Sequence, residues 1–376
     1  MTDPGTVFIE PAYGRRSLAD VLPAVGRALG TPLEGHTDDL ELPSAPSYVV
    51  FLVDGMGAEL LARHGHAAPY LSSLAEGSAI GTAGVPSTTA TSLTSLGTGL
   101  VPGSHGLVGY TARIPGTERL LNHLMWDTSV DPLEWQPHPT AFSRLASAGV
   151  HVTSVNKRDF DGSGLTVASQ RGATYVGADR VGERIAAAVS ASGKDPALTY
   201  VYDSDLDWTG HKFGVSSTQW LQQLAMIDAQ AEHLRESLPS STRLLVIADH
   251  GMVDSPEEDR VDVDDVTGMR DGVALIGGEA RFRHLYCPMR AVDDVVATWR
   301  EVLGSRATVL EREEAIERGW FGHVDPQVRA RLGDVMVACH DTSAVFSTRD
   351  FPYEKTLVGL HGSLTPAEML IPVLVG

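Results

Sequence analysis

An unbroken run of apolar residues from Tyr48 to Val53, within "SYVVFLVDGMG", most strongly constrains how this chain can fold. Such a run predicts a strand that is buried on both faces, as in the middle of a parallel sheet. The run stops at Asp54, and a glycine-bearing turn and a short helical pattern follow. The same theme returns in "ALTYVYDSD", which stops near Asp203, and in "RLLVIADHGM", which stops at Asp249. The chain therefore repeats a buried strand that ends in an acidic residue.

Helical patterns lie between these strands. Apolar residues from Trp220 to Leu234 recur at helical spacing, with Ser216 or Ser217 as the N-cap, and a second stripe begins at Val181. Strands that alternate with helices predict an α/β fold with a mostly parallel, doubly wound sheet and helices on both faces. The last segment, "MLIPVLVG", predicts a further strand. In such sheets sites form at the carboxyl ends of the strands, where the aspartates lie.

One long segment departs from this pattern. It opens with the acidic stretch "SPEEDRVDVDDVTG" and continues with short apolar runs and a helix from about Val292 to Leu303. We interpret it as a smaller α/β insertion or cap that separates two parts of a catalytic core. The resulting division is a core at 40–253 and 350–376, a cap at 254–349, and an N-terminal extension packed on the core at 1–39.

Charge and cysteine usage narrow the class of protein. The chain has 48 acidic and 29 basic residues, which give a formal net charge of −19. Binding of nucleic acid polymers or anionic membranes needs a basic face, so this charge argues against both. The two cysteines, Cys287 and Cys339, match no zinc-finger or redox spacing. Because neither a secretory leader nor an apolar run of about 20 residues is found, we predict a cytoplasmic protein, monomeric or homodimeric.

Carboxylates and imidazoles form four clusters, each near the end of a strand or in a glycine-bearing turn. The clusters are Asp54, Asp207 with His211, Asp249 with His250, and His361. Each cluster alone is ordinary, because an Asp-Gly pair after a strand is usually a turn and a lone His-Gly is usually part of a loop. Together, three carboxylates and three imidazoles match the ligands that zinc and similar divalent ions prefer, in a number that suits two ions.

The stretch "VPSTTATSLTSLGTGLVPGSHG" places many hydroxyl side chains before a glycine-rich turn. The simplest interpretation is a capped helix with its turn. The alternative is that one hydroxyl is a nucleophile, because metal coordination activates a hydroxyl and a helix N-terminus attracts phosphate. Two ions about 4 Å apart also hold the attacking and leaving oxygens of a phosphoryl transfer. With six candidate ligands elsewhere, the sequence favours one catalytic hydroxyl, but the residues alone leave open which one.

In chain order, five motifs resemble those of the alkaline phosphatase superfamily, in its nucleotide pyrophosphatase/phosphodiesterase (type I phosphodiesterase) branch. They are "VVFLVDGMG", "VPSTTATSLTSLGTGLVPGSHGLVG", "DLDWTGHKFG", "VIADHGM" and "GLHG". The resemblance implies an alkaline phosphatase-like core and a hydrolase for phosphodiester or pyrophosphate bonds of small, nucleotide-like substrates. It also implies two zinc ions, with manganese as the alternative metal, and a phosphothreonine intermediate that water then hydrolyses.

The resemblance also implies roles for individual residues. The nucleophile falls on Thr89, with its neighbour Thr88 as the alternative. One ion falls on Asp54, Thr89, Asp249 and His250, and the other on Asp207, His211 and His361. Ser92 stands where the family commonly has an asparagine directed at a phosphoryl oxygen, and it is expected to donate a shorter-reaching hydrogen bond. Trp126 and Tyr110 are candidate substrate contacts, although packing is the commoner role of such aromatic residues.

Other functions use the same ligands. A phosphomonoesterase or a metal-dependent phosphomutase of the same superfamily remains an alternative, although the acidic start of the cap does not suit a clamp for a sugar phosphate. A catalytically inactive binding protein with this fold is a further alternative, but all six candidate ligands are present. The stretch "STTATS" lacks the Pro-x-Arg of sulfatases, and the G-x-S-x-G elbow of a serine hydrolase is absent from the sequence.

Overall fold

The computed structural model describes residues 8–35 and 39–376. Residues 1–7 and 36–38, which belong to the predicted N-terminal extension, lie outside the described residues. The strands of the described residues are β1 (Ser47–Val53), β2 (Ala79–Thr82), β3 (Thr111–Arg113), β4 (Leu120–Asn122), β5 (His151–Asn156), β6 (Thr174–Gly177), β7 (Ala197–Asp203), β8 (Thr242–Ala248), β9 (Val253–Asp254), β10 (Arg260–Asp262), β11 (Leu275–Glu279), β12 (Phe282–Tyr286), β13 (Ala307–Glu311), β14 (Val335–Cys339), β15 (Ala344–Phe346), β16 (Gly359–Leu360) and β17 (Leu370–Val375). Their helices are α1 (Leu18–Ala28), α2 (Ala58–Arg63), α3 (Pro69–Ala75), α4 (Thr89–Thr98), α5 (Pro102–His105), α6 (Pro132–Trp135), α7 (Ala141–Ser147), α8 (Gly164–Gln170), α9 (Val181–Ser192), α10 (Asp205–Phe213), α11 (Thr218–Ser237), α12 (Val292–Leu303), α13 (Arg312–Glu317), α14 (Pro326–Arg329) and α15 (Pro366–Met369).

A mostly parallel sheet forms the centre of the fold. Within the described residues it has seven strands in the order β2-β17-β8-β1-β7-β5-β6. The strands β8, β1, β7, β5 and β6 are parallel, whereas β17 runs antiparallel to both of its neighbours. Every residue of β1 and β7 is buried, because strands in the middle of such a sheet are covered on both faces. The predicted α/β fold with a mostly parallel sheet is therefore confirmed, and its last strand is the antiparallel one.

Helices flank this sheet. The helix α9 packs on β5 and β7, α7 packs on β5, and α2 and α3 pack on β17, while α1 packs against α4. The N-cap of α11 is Ser217 rather than Ser216, because the Ser217 hydroxyl accepts a hydrogen bond from the backbone N–H of Trp220 at 3.1 Å. Among the described helices, none is long and apolar enough to cross a lipid bilayer.

A separate antiparallel sheet lies within the predicted insertion, and we call it the small sheet. Its four described strands follow the order β11-β12-β14-β13. The helix α12, whose bounds match the predicted helix, packs against β13 and β14 and buries Trp299. Apolar side chains of the small sheet, including Leu285 and Val337, form a core cluster of their own with Trp299. Other residues of the small sheet, including Phe282, Met336 and Ala338, belong to the main core cluster, so the small sheet packs on the core as well as on α12.

Candidate metal centre and active site

Three neighbouring strands of the central sheet end at the same level. Val53 of β1 pairs with Asp203 of β7 on one side and with Ala248 of β8 on the other. Asp54 and Asp249 follow directly, so their carboxylates lie side by side at one edge of the sheet, and both are buried. Because the carboxyl ends of parallel strands share an edge, the pattern of strands fixes this meeting point.

The first ligand cluster joins Asp54, Asp249 and His250, which offer ligand atoms within 4.8 Å of one another. The Nε2 atom of His250 lies 3.5 Å from Asp54 Oδ1 and 3.3 Å from Asp249 Oδ2. The hydroxyl oxygen of Thr89 lies 3.2 Å from this Nε2 and 3.5 Å from Asp54 Oδ2. On its other side, His250 presents Nδ1 to the carbonyl oxygen of Gly251 at 3.0 Å.

The second cluster joins Asp207, His211 and His361, again within 4.8 Å. Asp207 and His211 lie one turn apart on α10, with His211 Nε2 3.4 Å from Asp207 Oδ2. His361 Nε2 lies 3.2 Å from His211 Nε2 and 3.7 Å from Asp207 Oδ1. The Nδ1 atoms of His211 and His361 face the carbonyl oxygens of Gly359 and Ser87 at 2.7 and 3.0 Å. Because a carbonyl oxygen only accepts, each Nδ1 carries the proton and each Nε2 is free to bind a metal.

The two clusters are in contact, and burial together with neighbouring like groups disfavours the charged forms of Asp54 and His361. The rings of His250 and His361 stack with centroids 3.8 Å apart. Burial raises the pKa of the Asp54 carboxyl well above its ordinary value, and the charges of Asp249 and Asp207 raise it further. Burial also lowers the pKa of His361 well below its ordinary value, and neighbouring imidazoles add to this effect. The site therefore places the carboxyls of Asp54 and Asp249, which need a nearby cation to be ionised together, beside the neutral imidazole of His361.

Several buried carboxylate oxygens at the site have no hydrogen-bond partner, which bears on whether a metal ion fits here. Within the described residues, Asp54 Oδ1, Asp249 Oδ2 and Asp207 Oδ1 are buried and have no hydrogen-bond partner. Buried polar atoms are normally paired, so three unpaired carboxylate oxygens in one place suit a bound cation. Oxygen and imidazole nitrogen together are a donor set that zinc prefers. These residues therefore fit divalent metal ions.

The loop before α4 fixes the position of Thr89. Thr89 is the first residue of α4 and Thr88 is its N-cap, so the hydroxyl of Thr89 lies where free backbone N–H groups attract a phosphate. The backbone N–H of Ser87 donates to the carbonyl oxygen of Gly362 at 3.0 Å, and its hydroxyl donates to that of Ser363 at 2.6 Å. The threonine loop and the loop that carries the second cluster therefore hold each other in place.

Two cavities, of about 570 and 680 Å³, meet at these clusters. Both are lined by Thr89, Leu124, Asp207, Trp208 and His211. We call the first the small-sheet cavity, because Glu279 of β11 lines it together with Tyr110 and Tyr353. We call the second the α8 cavity, because residues at α8 line it together with Lys157, Phe160 and Tyr202. The Thr89 hydroxyl thus lies between two spaces that each accept part of a ligand.

The remaining candidate residues, Tyr110, Trp126 and Ser92, differ in whether they line a cavity. Tyr110 lines the small-sheet cavity, as a substrate contact requires. Trp126 lines neither cavity, because its ring packs in the aromatic cluster beside the core and its Nε1 donates to the carbonyl oxygen of Val130 at 2.8 Å. Ser92 is fully buried in α4 and also lines neither cavity. The aromatic side chain that lines both cavities is Trp208, which is 58% exposed.

Two residues at the site, Tyr202 and Glu279, were not identified from the sequence. The buried hydroxyl of Tyr202 donates a hydrogen bond to Asp54 Oδ2. Tyr202 directly precedes Asp203, the acidic end of β7, and this position next to the predicted site is the sequence feature that could have indicated it. Glu279 ends β11 and lines the small-sheet cavity, but "GGEARF" resembles an ordinary hairpin turn. Only the packing of the small sheet on the main core brings Glu279 to the site.

Comparisons with known proteins agree with this architecture. The sequence model of the family described as type I phosphodiesterase/nucleotide pyrophosphatase matches residues 48–364. Murine ectonucleotide pyrophosphatase/phosphodiesterase 5 superposes with a TM-score of 0.68 at 17% identity over 87% of each chain. An inactive threonine-to-alanine variant of that protein has been solved in complex with AMP. Phosphonoacetate hydrolase from Sinorhizobium meliloti 1021, in complex with phosphonoformate, superposes with a TM-score of 0.66 at 18% identity over 90% of this chain and 92% of that one. These structures share the fold, and no curated protein sequence matches the chain.

Proposed function

This chain belongs to the type I phosphodiesterase/nucleotide pyrophosphatase family of hydrolases, and we propose that it cleaves phosphodiester or pyrophosphate bonds of nucleotide-like substrates with Thr89 as the nucleophile. One observation carries the proposal. The Thr89 hydroxyl lies within 3.5 Å of two members of a buried ligand cluster, at the junction of two cavities. A hydroxyl in that position meets the phosphorus of a diester whose two arms extend in opposite directions.

We assign the two ligand clusters to two zinc ions, with manganese as the alternative. One ion is assigned to Asp54, Thr89, Asp249 and His250, and the other to Asp207, His211 and His361. When bound, the ions supply positive charge that favours the threonine alkoxide and neutralises the phosphoryl oxygens. The unpaired buried carboxylate oxygens support this assignment, because a pair of cations satisfies all of them.

The chain's own residues support a two-step hydrolysis. The Thr89 hydroxyl gives its proton to solvent and its oxygen forms a bond to the phosphorus, while the first backbone N–H groups of α4 bind the phosphoryl oxygens. The bond from phosphorus to the leaving oxygen breaks on the opposite side, and that oxygen takes up a proton from solvent. A water molecule then attacks the phosphorus from the side of the departed group and gives one proton to solvent, the bond to the Thr89 oxygen breaks, and this oxygen takes up a proton. The imidazoles of the clusters would hold the metal ions through Nε2 rather than transfer protons, because their Nδ1 protons are already donated to carbonyl oxygens.

The neighbouring threonine is a matched control for the nucleophile. Thr88 is the N-cap of α4, and it is the hydroxyl of Thr89 that makes close contacts to a ligand cluster. The inactive variant of the murine structure, in which alanine replaces a threonine, supports a threonine nucleophile by analogy. Thr89→Ala should lower kcat for bis(p-nitrophenyl) phosphate by on the order of 10⁴-fold while most bound metal is retained. Full activity of Thr89→Ala, with loss of activity in Thr88→Ala, would assign the nucleophile to Thr88 instead.

The two cavities favour a diester over a monoester. A phosphodiester has an organic arm for each cavity, whereas a monoester leaves one cavity without an occupant. Hydrolysis of bis(p-nitrophenyl) phosphate and p-nitrophenyl phosphate, measured side by side with zinc and with manganese, tests this. We expect a higher kcat/KM for the diester. A strong preference for the monoester would favour the phosphomonoesterase alternative.

We also propose the predicted division into a core and a cap at 254–349, because the small sheet has an apolar cluster of its own and contributes Glu279 to a cavity wall. The proposed location is the cytoplasm, where thiols stay reduced. Both cysteines, Cys287 and Cys339, are free, and Cys339 is buried. The proposed substrate is a small molecule, bound by a monomer or a homodimer.

A further inference from the structure

A buried carboxyl group without a partner faces the small-sheet cavity. Glu279 is only 8% exposed, and neither of its carboxylate oxygens has a hydrogen-bond partner within the described part of the chain. The Thr88 hydroxyl and the backbone N–H of Tyr110 lie near enough to favour ionisation, but neither makes a hydrogen bond with proper geometry. Because buried carboxylates are normally paired, the vacant acceptor sites point to a partner that enters from the cavity.

Within the described residues, no basic side chain forms a hydrogen bond with Glu279, although the charge of Arg283 lowers the pKa of its carboxyl. Arg283, on the adjacent strand β12, forms a buried ion pair with Glu354. Arg281, two residues further along the chain, forms a buried ion pair with Glu368. Burial raises the pKa of the Glu279 carboxyl to about 8, and a cation in contact with it removes this cost of ionisation. A cationic ligand in the cavity therefore supplies the direct partner that the described residues do not give Glu279.

Aromatic rings form the other walls of this cavity. The rings of Tyr110 and Tyr353 meet edge to face with centroids 6.3 Å apart, and Trp208 lies at the junction with the α8 cavity. Aromatic faces beside a carboxylate attract cations and repel anions. Lys212 also lines this cavity, but its ammonium lies over the rings of Trp208 and Phe213, 4.8 and 5.1 Å from their centroids. A protonated amine fits the part of the wall that Glu279 and the two tyrosines form.

We propose that Glu279 is a specificity-determining residue that binds a protonated amine on the substrate arm seated in the small-sheet cavity. This inference rests on the proposed hydrolase function and refines it. The scissile phosphate lies at Thr89, one arm extends into the α8 cavity, and the other arm carries its amine to Glu279. The substrate class is therefore a phosphodiester with an aminoalkyl or similar amine-bearing arm rather than a further phosphate.

Two esters that differ in one group test this proposal. In 2-aminoethyl p-nitrophenyl phosphate and propyl p-nitrophenyl phosphate the leaving group and arm length are the same, and an ammonium replaces a methyl group. A charge-assisted hydrogen bond to Glu279 should raise wild-type kcat/KM for the amine ester by roughly tenfold or more over the propyl ester. Glu279→Gln should remove most of this ratio while it still hydrolyses the propyl ester. Glu258→Gln, the same change at an exposed position of the predicted cap, should keep the ratio.

Each outcome decides the proposal. Equal wild-type kcat/KM for the two esters, or an unchanged ratio in Glu279→Gln, would overturn it. If Glu279→Gln does not fold, as judged by its circular dichroism and metal content, the wild-type ratio alone decides. If the wild type hydrolyses neither ester, the proposed function is wrong. Calorimetric binding of the same two esters then decides the amine proposal by itself, and equal Kd values would overturn it.

Discussion

Replacing Tyr202 by phenylalanine removes one oxygen atom that fixes a proposed metal ligand. The Tyr202 hydroxyl donates a hydrogen bond to Asp54 Oδ2, and both residues are buried at the end of the central strands. This bond leaves Oδ1 of Asp54, which has no partner within the described residues, directed at the first ligand cluster. Without the hydroxyl the carboxylate is free to rotate, and it loses a donor that stabilises its ionised form.

The size of the effect follows from the burial of this contact. Hydrogen bonds to metal-binding side chains typically change metal affinity by about 10- to 100-fold, which corresponds to about 1.4–2.7 kcal/mol. Asp54 is only 2% exposed, so bulk water does not reach it to replace the lost donor. We therefore expect Tyr202→Phe to weaken binding of one zinc ion by about 10- to 100-fold and to leave the other ion unaffected.

Tyr200 provides a matched control on the same strand. It lies two residues earlier on β7, so its side chain points to the same face, and its buried hydroxyl has no hydrogen-bond partner within the described residues. Tyr200→Phe removes the same atom without breaking a hydrogen bond and should leave zinc affinity unchanged. Competition with a chromogenic chelator measures both constants. Wild-type affinity in Tyr202→Phe, or equal weakening in both variants, would refute the positioning role of this hydroxyl.

The ligand assignment and the unpaired carboxyl yield further predictions. Asp249→Ala and His361→Ala should each lower bound zinc from about two ions per chain to about one and abolish hydrolysis, as measured by elemental analysis; unchanged zinc in both would exclude them as ligands. The raised pKa of Glu279, about 8, means that the folded carboxyl keeps its proton to a higher pH than the unfolded one, so the metal-free protein loses stability as pH rises from about 4 to 8. In urea unfolding without metal, the stability of Glu279→Gln relative to wild type should therefore grow by about 3 kcal/mol between about pH 4.5 and pH 7, and a constant difference would contradict this.

The parts of the site that were predictable depend on regular structure. Buried runs that end in aspartate predict parallel strands, and the shared level of their carboxyl ends brings Asp54 and Asp249 together. The spacing of Asp207 and His211 places them on one side of α10 because a helix repeats about every four residues. His361 was a candidate ligand from its place in a glycine-bearing turn, its pairing with Asp207 and His211 came only from the family resemblance, and the structure brings it within 3.2 Å of His211 Nε2.

The parts that were not predictable depend on packing between distant segments. Ser92 follows Thr89 on the same helix, but tight packing keeps it away from both cavities. Trp126 was a candidate because it lies near a motif in the sequence, yet its ring packs beside the core, and Trp208 lines the cavities instead. Glu279 has no local pattern at all, because its role arises only where the small sheet packs on the main core.

A buried ion pair between the turn that joins β11 to β12 and the helix α15 also connects the proposed specificity residue with the proposed metal ligands. Arg281 donates from Nε and Nη2 to the two carboxylate oxygens of Glu368 at 3.0 and 2.6 Å, and Glu368 also accepts from the backbone N–H of Ser363 at 3.0 Å. Arg281 lies two residues after Glu279, and Ser363 lies two residues after His361. A buried ion pair contributes little net stability, because desolvation offsets the attraction, so its main consequence is a fixed geometry. The proposed amine site and the second ligand cluster are therefore held at a fixed distance from each other, which links the choice of substrate to the placement of the scissile phosphate.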